Sequence, residues 1–277
     1  MPLKPNFLYI GAARSGSTYL YKILRTHKDV FIPTAKEINF FSNDENFKKG
    51  LNWYLQFFLT DKKVIGEIDH DYFLNHQSAM RIKSMFPEIK IICSLREPIA
   101  KTYSQFHFWR GTKIDPNLPF MDYALKEKTV NQADYYNLLK PYFELFPKEQ
   151  ILVIFFDELI SSPQLYLSKV LNFLNIENSI EAKIASEVVN PLREPRFMVF
   201  LKLCYTIYLI LKKYKLLNLS GKLKYNFLLN KLIFKNSYNL QYPQLTKDEW
   251  EILKIHYHKN FKNLEVLIGQ TLPKKWS

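Results

Sequence analysis

Small residues fall at Gly11-x-x-x-x-Gly16-Ser17-Thr18, with one cation, Arg14, inside the turn. The spacing is close to the phosphate loop G-x-x-x-x-G-K-[ST], in which backbone N–H groups at a helix N-terminus cradle an anion. Ser17 stands where the lysine that reaches the terminal phosphates of a nucleoside triphosphate would be. Residues 11–18 therefore suit a phosphate-like group but make a poor ATPase or GTPase loop. Farther on, Arg96 follows directly on the apolar run 90–95 and supplies a second cation at a strand-to-helix junction. Between the loop and Arg96, Lys36-Glu37 precedes Phe40-Phe41. A hydroxyl is a weak nucleophile, and a carboxylate beside a cationic cofactor site can take its proton. Asp69-His70-Asp71 is a further cluster, readable as a metal site, an acid–base pair, or a partly exposed loop histidine among carboxylates.

Such residues need a scaffold that brings strand-to-helix junctions together. Phe7-Leu8-Tyr9-Ile10 is an apolar run of the length of a buried parallel strand, and Leu20, Ile23 and Leu24 mark one face of a helix starting at Ser17. Residues 30–33 read as a short extended piece, and residues 34–41 as a loop pinned by Phe40 and Phe41 that presents its charges. Val64–Ile68 reads as a strand and 75–86 as an amphipathic helix. Lys90–Leu95 is the clearest strand; it runs into Arg96-Glu97-Pro98, with Pro98 at the first turn of the next helix. A charged residue at the carboxyl end of such a strand lies where open α/β sheets bind ligands. Helices are predicted over 120–128, 135–146, 165–174 and 247–268, with a strand over 150–156. The expected fold is α/β: a P-loop-like three-layer sandwich, a parallel sheet flanked by helices, with a helical C-terminal part.

The length of 277 residues fits one domain, with an α/β core over 7–180 and a basic extension over 181–277. The first strand begins by Phe7, which leaves no expectation of a leader or anchor, and Cys93 and Cys204 give neither a disulfide framework nor metal spacing. A cytoplasmic protein is expected, with the inner face of the membrane as a peripheral site. The net charge of +13 is uneven: ten Lys/Arg and no Asp or Glu lie between Arg196 and Lys247, which leaves +3 for the rest. That segment reads either as a solvated basic face or as a surface for an anionic partner. The apolar run 197–211 is interrupted by Lys202 and, at 15 residues, is short of a bilayer span. It reads as a helix packed on the domain or as one resting on an anionic membrane surface. No recognised nucleic-acid motif appears, and no nucleic-acid partner is expected.

Three segments in order resemble the sulfotransferases that use 3′-phosphoadenosine 5′-phosphosulfate (PAPS). Residues 7–24 resemble the 5′-phosphosulfate loop, where Arg14 takes the place of a common lysine, as it does in the tyrosylprotein branch. Lys36-Glu37-x-x-Phe40-Phe41 is similar to a segment of the carbohydrate, heparan-type branch. Leu95-Arg96-x-Pro98-x-x-Lys101-x-x-Ser104 resembles the 3′-phosphate motif, with Lys101 for the usual arginine. The resemblance implies a PAPS cofactor bound by Arg14, Ser15, Gly16, Ser17, Thr18, Arg96 and Ser104, and by Arg193 and Arg196 on a mobile basic loop. It implies Glu37 as general base, Arg14 at the leaving phosphate, adenosine 3′,5′-bisphosphate (PAP) as product, and no metal. Lys36 and His70 fall near the acceptor, a glycan or lipid-linked hydroxyl. The residues alone leave open a kinase using the same cradle, or a non-catalytic basic module on an anionic partner.

Overall fold

The computed structural model describes residues 3–110, 113–180, 203–207, 210 and 245–276. Five strands pair in parallel: β1 (Phe7–Gly11), β2 (Val30–Phe31), β3 (Val64–Ile68), β4 (Lys90–Leu95) and β5 (Ile151–Phe155), in the order β2-β3-β1-β4-β5. Every residue of β1 and β3 is buried, as expected for strands covered on both faces. The chain runs from β1 to one side of the sheet and returns to the other side at β4. The loops that leave β1 and β4 thus flank the point where the strand order reverses, which is where open sheets of this kind bind ligands.

The helices follow from the apolar periodicity. They are α1 (Ser17–Leu24), α2 (Asp44–Phe47), α3 (Gly50–Leu55), α4 (His76–Met85), α5 (Pro98–Trp109), α6 (Phe120–Ala124), α7 (Glu127–Asn131), α8 (Tyr135–Leu145), α9 (Phe156–Ser161), α10 (Pro163–Leu174), α11 (Lys247–Tyr257) and α12 (Phe261–Ile268). Alternate residues of the strands face opposite layers. Leu8, Ile10, Ile91 and Cys93 join Ile82 of α4, Leu139 of α8 and Leu264 of α12. Phe7, Tyr9, Ile92 and Ile154 join Leu20 of α1, Leu159 of α9 and Val170 of α10. Cys93 is a packed core residue, as its strand implied.

Two long predicted helices are each broken in two. Residues 120–128 divide into α6 and α7, because Lys126 is extended (φ −63°, ψ 131°) and swings Val130 and Ala133 onto Ile99, Ala124 and Leu253. Residues 247–268 divide at 258–260, where side chains turn to distant partners. His258 Nε2 lies 3.0 Å from Glu97 Oε1, and Asn260 Nδ2 donates to both Asp134 oxygens at 3.0 and 2.9 Å. The tertiary hydrogen bonds outweigh the one broken turn. The same C-terminal piece is fastened by Tyr257 Oη to Ala124 O (2.7 Å) and by buried Trp276, whose Nε1 donates to Asp157 Oδ2 (2.9 Å). Arg193 and Arg196 lie outside the described residues, as does most of the basic 196–247 segment. Among the described residues no helix is long and apolar enough to cross a membrane.

Candidate active site

β1 delivers its loop by geometry that a larger residue would obstruct. Gly16, the cap of α1, has φ 97°, and a Cβ there would meet Leu159 Cδ2 at 2.9 Å. Gly11 is closed in by Phe73, 2.6 Å from where its Cβ would be. The turn 11–16 therefore lies flat against the sheet end, and α1 points the orphan N–H groups and positive dipole end of its first turn at the loop. Ser15 is fully buried, and Ser17 and Thr18 open the helix.

β4 delivers the second set. Glu97 caps α5, its carboxylate accepting from Ile99 N at 3.1 Å and Ala100 N at 2.6 Å, with Pro98 in the first turn as expected. Arg96 is pinned at its carbonyl by Tyr135 Oη (2.7 Å), while its guanidinium lies over the Phe156 ring and donates to Arg14 O at 3.3 Å. Ser104 sits two turns into α5, and Arg14 reaches across to it: Arg14 Nε donates to Ser104 Oγ at 3.1 Å, with its guanidinium carbon 4.4 Å from the Phe108 ring centre. The two sets predicted from sequence thus meet through the side chain of Arg14. Lys101 is 2 % exposed, donates to Gln132 O at 3.2 Å, and is held by burial at a pKa of about 8.

The loop after β2 completes the group. Phe40 and Phe41 are its anchors as expected: both are fully buried, and Phe40 stacks on Tyr54 at 4.5 Å with 11° between ring planes. The charges, however, are not presented to solvent. The Lys36 side chain is 2 % exposed and that of Glu37 12 %, because the loop folds back on the sheet end. Lys36 Nζ lies 3.2 Å from Ser17 Oγ, 3.5 Å from Thr18 Oγ1 and 3.5 Å from Glu37 Oε1. His70 Nδ1 lies 3.2 Å from the same Oε1, and His70 Nε2 lies 3.6 Å from Asp71 Oδ1. The partly exposed histidine among carboxylates is what the structure contains. Among the described residues no three His, Cys, Asp or Glu side chains form a metal-binding group.

Glu67, to which the sequence reading assigned no role, and Asp69, read there only as part of the 69–71 cluster, hold this loop in place. Glu67, at the end of β3, is buried; its carboxylate accepts from Ile38 N (3.2 Å), Tyr54 Oη (2.7 Å) and Tyr72 Oη (2.8 Å). Asp69 accepts from Asn39 N at 2.6 Å and from Asn39 Nδ2. Together with Glu37 N to Ile68 O (3.3 Å), these bonds clasp three consecutive residues, two of which, Glu37 (φ 64°) and Asn39 (φ 57°), are left-handed. A non-glycine residue adopts that conformation only where its surroundings fix it. Burial pushes the Glu67 carboxyl up to about 7 against the pull of its three hydrogen bonds. Burial, with Glu67 and Asp71 next, drives Asp69 upward as well. The signal for Glu67 was present as a carboxylate inside Val64-Ile65-Gly66-Glu67-Ile68, an otherwise apolar strand.

The donor chemistry fits a ligand with two anionic groups. One set holds the α1 N-terminus, Ser17, Thr18 and Lys36; the other holds Arg96, Ser104 and Arg14. The sequence matches the family model described as "Sulfotransferase domain" over residues 4–198. It is 30% identical over 188 residues to a heparan sulfate glucosamine 3-O-sulfotransferase 5 of Homo sapiens, covering 62% of this chain and 54% of the relative. It is 27% identical over 195 residues to the human bifunctional heparan sulfate N-deacetylase/N-sulfotransferase 3, covering 62% and 22%. The chain thus spans about half the length, or less, of these curated relatives. Among solved structures, a sulfotransferase from Alicyclobacillus acidocaldarius superposes with a TM-score of 0.68 at 20% identity, covering 99% of both chains. A mouse sulfotransferase solved with PAP superposes with a TM-score of 0.51 at 19% identity, covering 69% of this chain and 67% of that one. The likeness to both structures is one of fold.

Proposed function

From the premise that the chain belongs to the sulfotransferase domain family, we propose that it moves the sulfuryl group of PAPS to an acceptor hydroxyl, most simply that of a glycan or a lipid-linked glycan. The observation that carries this reading is the convergence of three parts at the ends of β1, β2 and β4: a phosphate-type loop, a second cation–hydroxyl set, and a single carboxylate, Glu37, set against the first. The choice of a glycan is supported by the names of the relatives, both of which carry heparan sulfate.

In this reading Arg96 and Ser104, with the guanidinium of Arg14 against Ser104, hold the 3′-phosphate. The loop backbone and the first turn of α1 hold the 5′ end. Bound there, the cofactor supplies an activated sulfuryl group on a phosphate leaving group. Glu37 takes the acceptor proton as the acceptor oxygen bonds to sulfur. The sulfur–oxygen bond to the 5′-phosphate breaks, its electron pair stays on the phosphate, and the α1 N-terminus and nearby cations face that charge. His70, 3.2 Å from Glu37 Oε1, would touch the acceptor or relay the proton onward. Burial of Lys36 and Glu37 keeps bulk water from competing for these contacts.

The test is calorimetric titration with PAP, set against ATP–Mg²⁺ and 5′-AMP. Tight PAP binding, weak 5′-AMP binding and at least a tenfold loss of PAP affinity in Arg96→Ala are expected. Glu37→Gln is expected to keep PAP affinity and lose turnover. Absence of PAP binding by the wild-type chain refutes the reading, and ATP–Mg²⁺ binding in its place supports the kinase.

A further inference from the structure

The loop sequence lacks the lysine of G-x-x-x-x-G-K-[ST], and the cation inside the loop, Arg14, runs toward α5 and Ser104. We propose that Lys36 supplies the missing loop cation from a different segment: its ammonium, seated on the Ser17 and Thr18 hydroxyls, meets the charge that gathers on the 5′-phosphate of the sulfuryl donor. The proposal rests on the PAPS reading above and changes two roles that the sequence resemblance gave: Lys36 moves from acceptor contact to leaving-group contact, and Arg14 from the leaving phosphate to the 3′-phosphate grip.

Three observations support it. The first is position. Ser17 is the residue that replaces the loop lysine, and Lys36 Nζ stands 3.2 Å from its hydroxyl and 3.5 Å from that of Thr18. The ammonium thus stands beside the first turn of α1. The second is the support given to the side chain. Its neighbours 37–39 are clasped by Ile68 O, Glu67 and Asp69. Upstream, Thr34 O accepts from Tyr21 Oη at 3.1 Å, and the Tyr21 ring lies 5.9 Å from Lys36 Nζ. A flexible four-carbon stem is thereby given one direction, and little rotamer freedom remains to be lost when an anion arrives. The third is burial. A lysine ammonium that is 2 % exposed is costly unless partners compensate. Two hydroxyls and one carboxylate at 3.2–3.5 Å hold it at the head of α1, where a bound anion would lie.

The chemistry also divides the work between the two cations. A guanidinium is a fixed charge with forked donors, suited to gripping a phosphate through the whole cycle. An ammonium is compact and able to give up a proton, suited to the oxygen whose charge changes during transfer. Arg14 joins the gripping set and Lys36 the changing one. Because Lys36 also lies 3.5 Å from Glu37 Oε1, the group facing the leaving phosphate and the group facing the acceptor are fixed relative to each other within one loop.

The decisive experiment is PAP titration in the absence of any acceptor, with wild type, Lys36→Met and Lys36→Arg. Lys36→Met is expected to weaken PAP binding by tenfold or more, with Lys36→Arg restoring part of the loss. In turnover, Lys36→Met is expected to lower kcat with the acceptor KM little changed. A Lys36→Met variant that binds PAP as wild type does, with a raised acceptor KM, overturns the proposal and returns Lys36 to the acceptor. A wild-type chain that does not bind PAP overturns the underlying reading instead. Should Met at 36 prevent folding, the side-chain ¹⁵N–H₃ resonance of Lys36 in the wild type, assigned by its loss in Lys36→Arg, serves as the readout. It is expected to shift on PAP addition, and an unmoved resonance at saturating PAP overturns the proposal.

Discussion

Replacing Glu67 by glutamine keeps the shape of the clasp beneath loop 34–41 and removes its ability to titrate. The carboxyl is raised from the ordinary 4.5 to about 7, and burial is the largest cause. A group whose folded-state value lies above its unfolded value binds its proton more tightly in the folded chain. Its contribution to stability is complete below about pH 4.5 and is lost as pH rises toward 7. Each tenfold change in proton affinity is worth about 1.4 kcal/mol. The loss over that window is therefore about 3 kcal/mol, a sizeable part of the roughly 5–15 kcal/mol that holds a typical domain folded. Urea unfolding at pH 5, 6, 7 and 8, for wild type and Glu67→Gln, reads this contribution, together with the relief of Asp69 from its charged neighbour, as the difference between two slopes. The wild type is expected to lose stability relative to Glu67→Gln between pH 5 and 7, and the two are expected to run parallel above 8. Asp69 is displaced in the same direction and remains in the variant, so some pH dependence persists there. Parallel curves across the whole range refute the reasoning. They would mean that Tyr54, Tyr72 and the Ile38 amide outweigh the loss of water, and that Glu67 is ionised throughout.

Two further perturbations address the loop and its anchors. Phe40→Ala removes a fully buried ring stacked on Tyr54, and a cost of about 3–5 kcal/mol is expected, read as a lower urea midpoint with the slope unchanged. Gly16→Ala places a Cβ 2.9 Å from Leu159 at φ 97°. A cost of about 1–3 kcal/mol is expected, together with weaker PAP binding because the α1 N-terminus shifts; unchanged affinity would show that the cradle tolerates a side chain.

Much of this architecture was legible because local pattern and tertiary role coincide. The apolar runs of β1, β4 and β5 are long enough to be strands only if both faces are covered, and each phosphate set follows such a run directly. Phe40 and Phe41 read correctly as anchors because two adjacent aromatics have no other good place. What sequence order could not convey is where side chains converge from different segments. Lys36 and Ser17 are 19 residues apart, and Arg14 and Ser104 are 90 apart. Neither spacing states whether a cation turns to the loop, the acceptor or the solvent. The break at 258–260 was hidden for a similar reason. Leu253, Tyr257, Leu264 and Ile268 keep a plausible helical rhythm, while the partners that stop the helix, Glu97 and Asp134, lie far upstream.

The fastening of Glu97 by His258 has a consequence for the order in which the molecule is made. The partners are 161 residues apart, so Glu97 leaves the ribosome long before His258 exists. At about 5–20 residues per second the interval is roughly 10–30 s, very long beside the microseconds in which a helix or hairpin forms. Throughout it the N-terminal sheet has no Trp276 on Asp157 and no Asn260 on Asp134. The nascent chain therefore waits with Glu97, Asp134 and Asp157 still lacking these partners, and the docking of residues 258–276 onto the sheet domain comes after the strands are complete.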